Sequence, residues 1–111
     1  MAAPVYSRPF IRTKGLAGDG DLVVVPAGYV YVVKFLSVYG NAGLDHLDIA
    51  FKHASTDQIL WFQHIGLEER DSRQLACTFA FFNTESFRFV VGSDHGASAD
   101  VFAGGYQLTQ T

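Results

Sequence analysis

Residues 23–36, VVVPAGYVYVVKFL, constrain the fold more tightly than any other part of the chain. They consist mostly of β-branched and aromatic residues, which suit pleated strands, and Pro26-Ala27-Gly28 breaks them with turn chemistry. In residues 29–39 the odd positions give Tyr29, Tyr31, Val33, Phe35 and Tyr39. The even ones give Val30, Val32, Leu36 and Val38, with Lys34 as the polar exception. A strand in a two-layer β-fold needs only one apolar face, so a strand apolar on both must bury the second against something else. Residues 59–62, Ile-Leu-Trp-Phe, pose the same problem. Two covers are open: the chain's own N-terminal segment, or like subunits in a closed oligomer, which is the preferred expectation.

The remaining apolar residues repeat every second position. Leu47, Ile49 and Phe51 alternate with Asp48, Ala50 and Lys52, and Leu75, Cys77, Phe79 and Phe81 alternate with Gln74, Ala76, Thr78 and Ala80. Phe87, Phe89 and Val91 follow the same rule, which is the period of half-buried strands. Residues 58–65 form a further strand, joined to 47–52 through the polar turn Ala54-Ser55-Thr56-Asp57 as a hairpin. Short strands with turn signals between them predict an all-β chain, a single antiparallel β-sandwich of jelly-roll type with about eight strands. At 111 residues, 49% hydrophobic and 17% charged, the chain is long enough for one core and too apolar for disorder. Pro4 and Pro9 and the GLAGDGD segment set residues 1–20 apart as an extended arm that orders on docking, with 21–111 as the sandwich domain. Within the arm, residues 5–12 could pair as an edge strand.

Composition and motifs exclude several functions. The net charge is −3 with basic residues scattered along the sequence, so nucleic acid is not an expected partner. The first ten residues lack a basic stretch followed by an apolar one, and no window approaches about 18 uninterrupted apolar residues, so neither a cleaved signal nor a membrane span is expected. Cys77 has no second cysteine to pair with and falls on an apolar face, as a buried inert thiol does. With His53 opposite Gln58 in a regular hairpin, His46 and His64 fall on opposite faces and do not converge. The Asp45-His46-Leu47-Asp48 cluster and Asp94-His95 lack a metal-ligand spacing, so no metal and no cofactor are expected. No nucleophile elbow or phosphate-cradling glycine loop occurs, and an enzyme of cupin or hydrolase type ranks last. Glu68, Glu69, Arg70 and Asp71 read as a solvated loop.

The Val25-Pro26-Ala27-Gly28 turn leading into YVYVVKFLSVYGNAG, the later FFNTESFRFVVG and the closing DVFAGGYQLT occur in an order and spacing that resembles a group of small tailed-bacteriophage virion proteins. The resemblance implies a β-sandwich that decorates or connects capsid or tail, without enzyme activity, in a virion assembled in the host cytoplasm. Its partners would be like subunits, as a homo-oligomer such as a trimer, and a capsid or tail protein. On this expectation Tyr29, Tyr31, Ile59 and Trp61 meet the partner, and Pro4, Tyr6, Pro9 and Phe10 of the arm dock beside them. The alternative is a carbohydrate-binding β-sandwich in which an exposed Tyr or Trp61 stacks on sugar rings.

Overall fold

The computed structural model describes residues 5–41, 46–66, 72–92 and 97–109. Among these residues nine strands run in chain order: β1 (Val5–Leu16), β2 (Gly18–Asp19), β3 (Val23–Val24), β4 (Tyr29–Gly40), β5 (His46–His53), β6 (Gln58–Gly66), β7 (Ser72–Phe81), β8 (Ser86–Gly92) and β9 (Ala99–Thr109). One sheet has the order β1-β9-β4-β7 and the other β2-β8-β5-β6, with β3 also on β8, and every pairing is antiparallel. Since β2 and β3 pair with successive parts of β8, they are two pieces of one interrupted strand path. The chain therefore follows eight paths and changes sheet at every connection except the β5–β6 hairpin, which is the jelly-roll arrangement. The β-sandwich expected from the alternation is the fold observed.

The Pro26-Ala27-Gly28 turn is one of these sheet changes. Tyr29 N–H donates to Pro26 O at 3.3 Å, and Gly28 takes φ +84°, which only glycine adopts without strain. The turn carries the chain from β3 in the second sheet to β4 in the first.

Between the sheets lies an aromatic core. Phe51, from the centre of β5, packs with Phe89 (ring centroids 5.1 Å apart), Phe87 (5.6 Å) and Phe79 (5.9 Å), and Phe81 meets Phe87 at 4.4 Å. Val33, Leu36, Val38, Leu47, Ile49 and Ile65 complete it from both layers. Each such side chain contributes about 1.5–3 kcal/mol through burial, so the core is the main source of stability. Cys77 points inward from edge strand β7 but is half-buried; its thiol faces Val33 O at 3.6 Å, and burial raises its pKa.

Four irregularities in strand register decide which residues reach this core; one of them, between Thr13 and Leu16 of β1, turns Leu16 inward. In β4 the register on both neighbours shifts between Val33 and Phe35. Tyr31 and Val33 point inward before the shift, and Leu36 and Val38 after it, so β4 fills the core along its whole length. The shift presses β4 against Gly105: a Cβ there would stand 1.9 Å from Val32 O.

Another irregularity, in β1 between Pro9 and Ile11, inserts Phe10 towards the core, where its ring stacks on Tyr31 at 4.7 Å. Residues 5–16 are thus not a free arm. They form an edge strand paired along β9, with Ile11 and Leu16 buried, and Pro9 is tolerated because β1 lies at the sheet edge. The boundary drawn at residue 20 has no counterpart in the fold, and Pro4 lies outside the described residues.

Two outcomes follow for stability. Gly105→Ala should cost about 3 kcal/mol or more, because the obstacle is backbone, whereas Gly104→Ala meets the movable ring of Phe102 and should cost distinctly less. Urea unfolding of the two variants checks the difference. Deleting residues 1–12 removes Ile11 and most of the β1–β9 pairing, so the truncated chain should lose its cooperative thermal transition; a melting temperature unchanged from the full chain would contradict the edge-strand role.

Candidate functional site

Chemistry-bearing side chains gather on the outer faces of both sheets. On the second sheet, β5 presents His46, Asp48, Ala50 and Lys52 outward in alternation with the buried Leu47, Ile49 and Phe51. Its partner β6 carries the last irregularity. Lys52 pairs with Ile59 and Phe51 with Trp61, so Leu60 is an extra residue. Beyond it every β6 side chain is displaced by one position, and His64 lies opposite Asp48 rather than Leu47. The expectation that His46 and His64 occupy opposite faces is therefore corrected: the bulge at Leu60 brings both to the outer face.

His64 Nδ1 lies 2.7 Å from Asp48 Oδ1, and the His46 and His64 rings stand 4.8 Å apart with a 32° tilt. One ligand atom from each of His46, Asp48 and His64 falls within 4.8 Å of the other two. The register partner of Asp48 on its other side is Gly92.

The same bulge sorts the apolar run of β6. Leu60 and Trp61 pack against the core, while Ile59 (55% exposed) and Phe62 (54%) remain on the outer face.

The outer face of the first sheet is aromatic and basic. Past the β4 shift, Phe35, Ser37 and Tyr39 point outward; Phe35 meets Phe102 of β9 edge-on at 6.3 Å, and the Arg12 guanidinium lies 5.8 Å from the Phe102 ring centroid. Arg12, Lys14 and Lys34 flank this strip, which bends along Pro9 and Gly104, whereas the Arg8 guanidinium lies on the inner side of β1, over the Phe10 and Tyr31 rings and 2.7 Å from Gln107 Oε1. Three of the eight Lys and Arg residues, from β1 and β4, thus share one surface.

At one end of the sandwich, two turns are joined by a polar clamp. His53 Nε2 contacts Glu85 Oε2 at 2.5 Å, and Thr56 Oγ1 lies 3.1 Å from His53 Nδ1. Glu85 Oε1 accepts the Phe82 N–H at 2.7 Å, and the Ser86 N–H donates to Ser55 Oγ at 3.0 Å. The order hydroxyl, imidazole, carboxylate has the form of a nucleophile–base relay. Here, however, Thr56 belongs to the β5–β6 turn and Glu85 closes its own turn through the Phe82 amide, so the group ties together the turns at residues 54–57 and 82–85. That amide first, and His53 second, hold the Glu85 carboxyl below its ordinary value of 4.5.

Of the residues expected at an interface, Tyr31 is buried, with 7% exposure, and Tyr29, Phe10 and Trp61 are half-buried and packed against the core. These four therefore face inward. Ile59 and Pro9 are exposed, and Tyr6 pairs through its backbone with Gln107 in β1. Sequence reasoning missed Phe62, Phe102 and Arg12 as outward groups and His46–Asp48–His64 as a cluster. Asp45, residues 68–71, Asp94 and His95 lie outside the described residues. Comparisons with family models, with curated proteins and with solved structures find no match. Among the described residues no helix is long and apolar enough to cross a membrane.

The clamp sets a pH dependence. Because the folded state lowers the pKa of Glu85, its contribution to stability is present above the ordinary value and is lost as pH falls through the folded one. The urea midpoint of the wild-type chain should fall as pH drops below 4.5, whereas Glu85→Gln, less stable at neutral pH, should show a shallower fall; parallel curves would contradict the role of the clamp.

Proposed function

We propose that this chain is a non-enzymatic structural subunit of a bacteriophage virion, decorating or connecting capsid or tail as a homo-oligomer and assembling in the host cytoplasm. The observation that carries the association is the outer face of the first sheet. It presents Phe35, Tyr39 and Phe102 among Arg12, Lys14 and Lys34, on a chain whose net charge is −3. A basic, aromatic surface on an acidic chain is complementary to other surfaces of its own copies, which favours head-to-tail contacts that close into rings. Aromatic and Arg side chains are also the types that carry most binding energy at protein interfaces. The order of the VPAG turn, the NTES loop and the closing GYQL strand supports the virion context. Jelly rolls serve in viral capsid and lectin domains alike, so the fold by itself favours neither role.

A carbohydrate-binding module is the second reading, favoured by the Phe35–Phe102 pair with Arg12 over one ring, a platform on which a sugar could stack. Selective binding on a glycan array would support it and count against a purely structural role.

Light scattering after size exclusion at micromolar concentration should find an oligomer. Phe35→Ser or Phe102→Ser should weaken association by about 2 kcal/mol, roughly 30-fold, and added salt should weaken it further. A wild-type monomer under these conditions would overturn the oligomer, and absence of the chain from purified particles would overturn the virion role.

A further inference from the structure

The geometry points to a divalent transition-metal site on the outer face of the second sheet, formed by His46, Asp48 and His64 and suited to zinc. This inference does not depend on the virion reading. Its basis is the register of the β5–β6 hairpin: His46 and Asp48 are two residues apart on β5 and so share a face, and the Leu60 bulge puts His64 directly across from Asp48. Three donors thus project from two hydrogen-bonded strands, a more rigid support than a loop.

The distances suit a metal ion. Four-coordinate zinc holds nitrogen and oxygen donors at about 2.0–2.2 Å, which places its ligand atoms roughly 3.3 Å apart. The separation here is 2.7 Å between His64 Nδ1 and Asp48 Oδ1, and the set as a whole lies within 4.8 Å. These values bracket the required spacing, so small side-chain rotations bring the donors to it. On binding, the ion would replace the hydrogen that now lies between His64 and Asp48. Two imidazoles and one carboxylate favour zinc, cobalt, nickel or copper over calcium or magnesium, which prefer oxygen donors.

The surroundings allow access. His64 is exposed and Asp48 partly so, and the register partner of Asp48 on β8 is Gly92. Three protein ligands leave a fourth position for water or for a donor from another molecule. Phe62, two residues before His64 on the same face, lends the site an apolar border.

The test uses the full chain without an affinity tag, titrated with zinc chloride by calorimetry and with cobalt chloride by visible absorption. The expected result is one ion per chain, cobalt bands of four-coordinate intensity, a melting temperature raised by zinc, and no competition from excess magnesium. His46→Ala, Asp48→Asn and His64→Ala lie on the outer face and should keep the circular dichroism of the wild type. Each should bind zinc at least about 100-fold more weakly, since loss of a mere supporting contact to a metal ligand already costs about 10–100-fold. Absence of saturable binding by the wild type would overturn the site, as would any of the three variants binding as tightly as the wild type.

Discussion

The molecule depends on the two-residue period of β-strands and on the few places where it is broken. Because side chains alternate between faces, one inserted residue exchanges core and surface for everything beyond it. Phe10 in β1, the shift at Lys34 in β4 and Leu60 in β6 are such places. The shift at Lys34 lets a strand with apolar residues in both phases fill the core from Tyr31 to Val38. It also turns Phe35 and Tyr39 outward, so the core and the exposed aromatic strip share one cause. The bulge at Leu60 supplies Trp61 and Ile65 to the core and assembles His46, Asp48 and His64 opposite them.

Gly105 shows how closely the backbone must follow these shifts. With Val32 O 1.9 Å from where its Cβ would stand, β9 can accompany β4 past the irregularity only with glycine at that position. The adjacent Gly104 serves the surface instead, because a Cβ there would press on the Phe102 ring that forms part of the outer strip. Two neighbouring glycines thus act on opposite faces, one through the main chain and the other through side-chain room.

Much of this architecture was legible in the sequence. Alternation located β5 to β8, an apolar run between turns located β4, and Pro26-Ala27-Gly28 and residues 54–57 marked turns, because these features follow from local stereochemistry. The phase of each strand was less legible where both phases are apolar. In Ile59-Leu60-Trp61-Phe62 every residue can satisfy a core, so no polar residue betrays the bulge, and regular alternation sent His64 to the wrong face. The same ambiguity assigned Tyr29, Tyr31 and Trp61 to a partner when the core takes them. The N-terminal strand was obscured for another reason: its prolines and glycines signal irregularity, whereas an edge strand tolerates them, and Ile11 and Leu16 are too few to announce burial. The grouping of Arg12 and Lys14 with Lys34 was invisible because it joins β1 to β4, strands separated in sequence.

The two outer faces differ in chemistry, and that difference bears on how copies could meet. Like faces pressed together by a two-fold axis would set the three cations of the first sheet against themselves, a repulsion that isologous packing there would have to overcome. The opposite face carries Asp48 and the histidines beside the apolar Ile59 and Phe62, and its cations among the described residues, Lys52 and Arg88, stand near Asp57 and Asp19. Contact between unlike faces avoids the repulsion and pairs aromatic residues with apolar ones. A jelly roll with such unlike faces is therefore better suited to head-to-tail association, in which rotation between neighbours decides whether a ring closes, than to a face-to-face dimer.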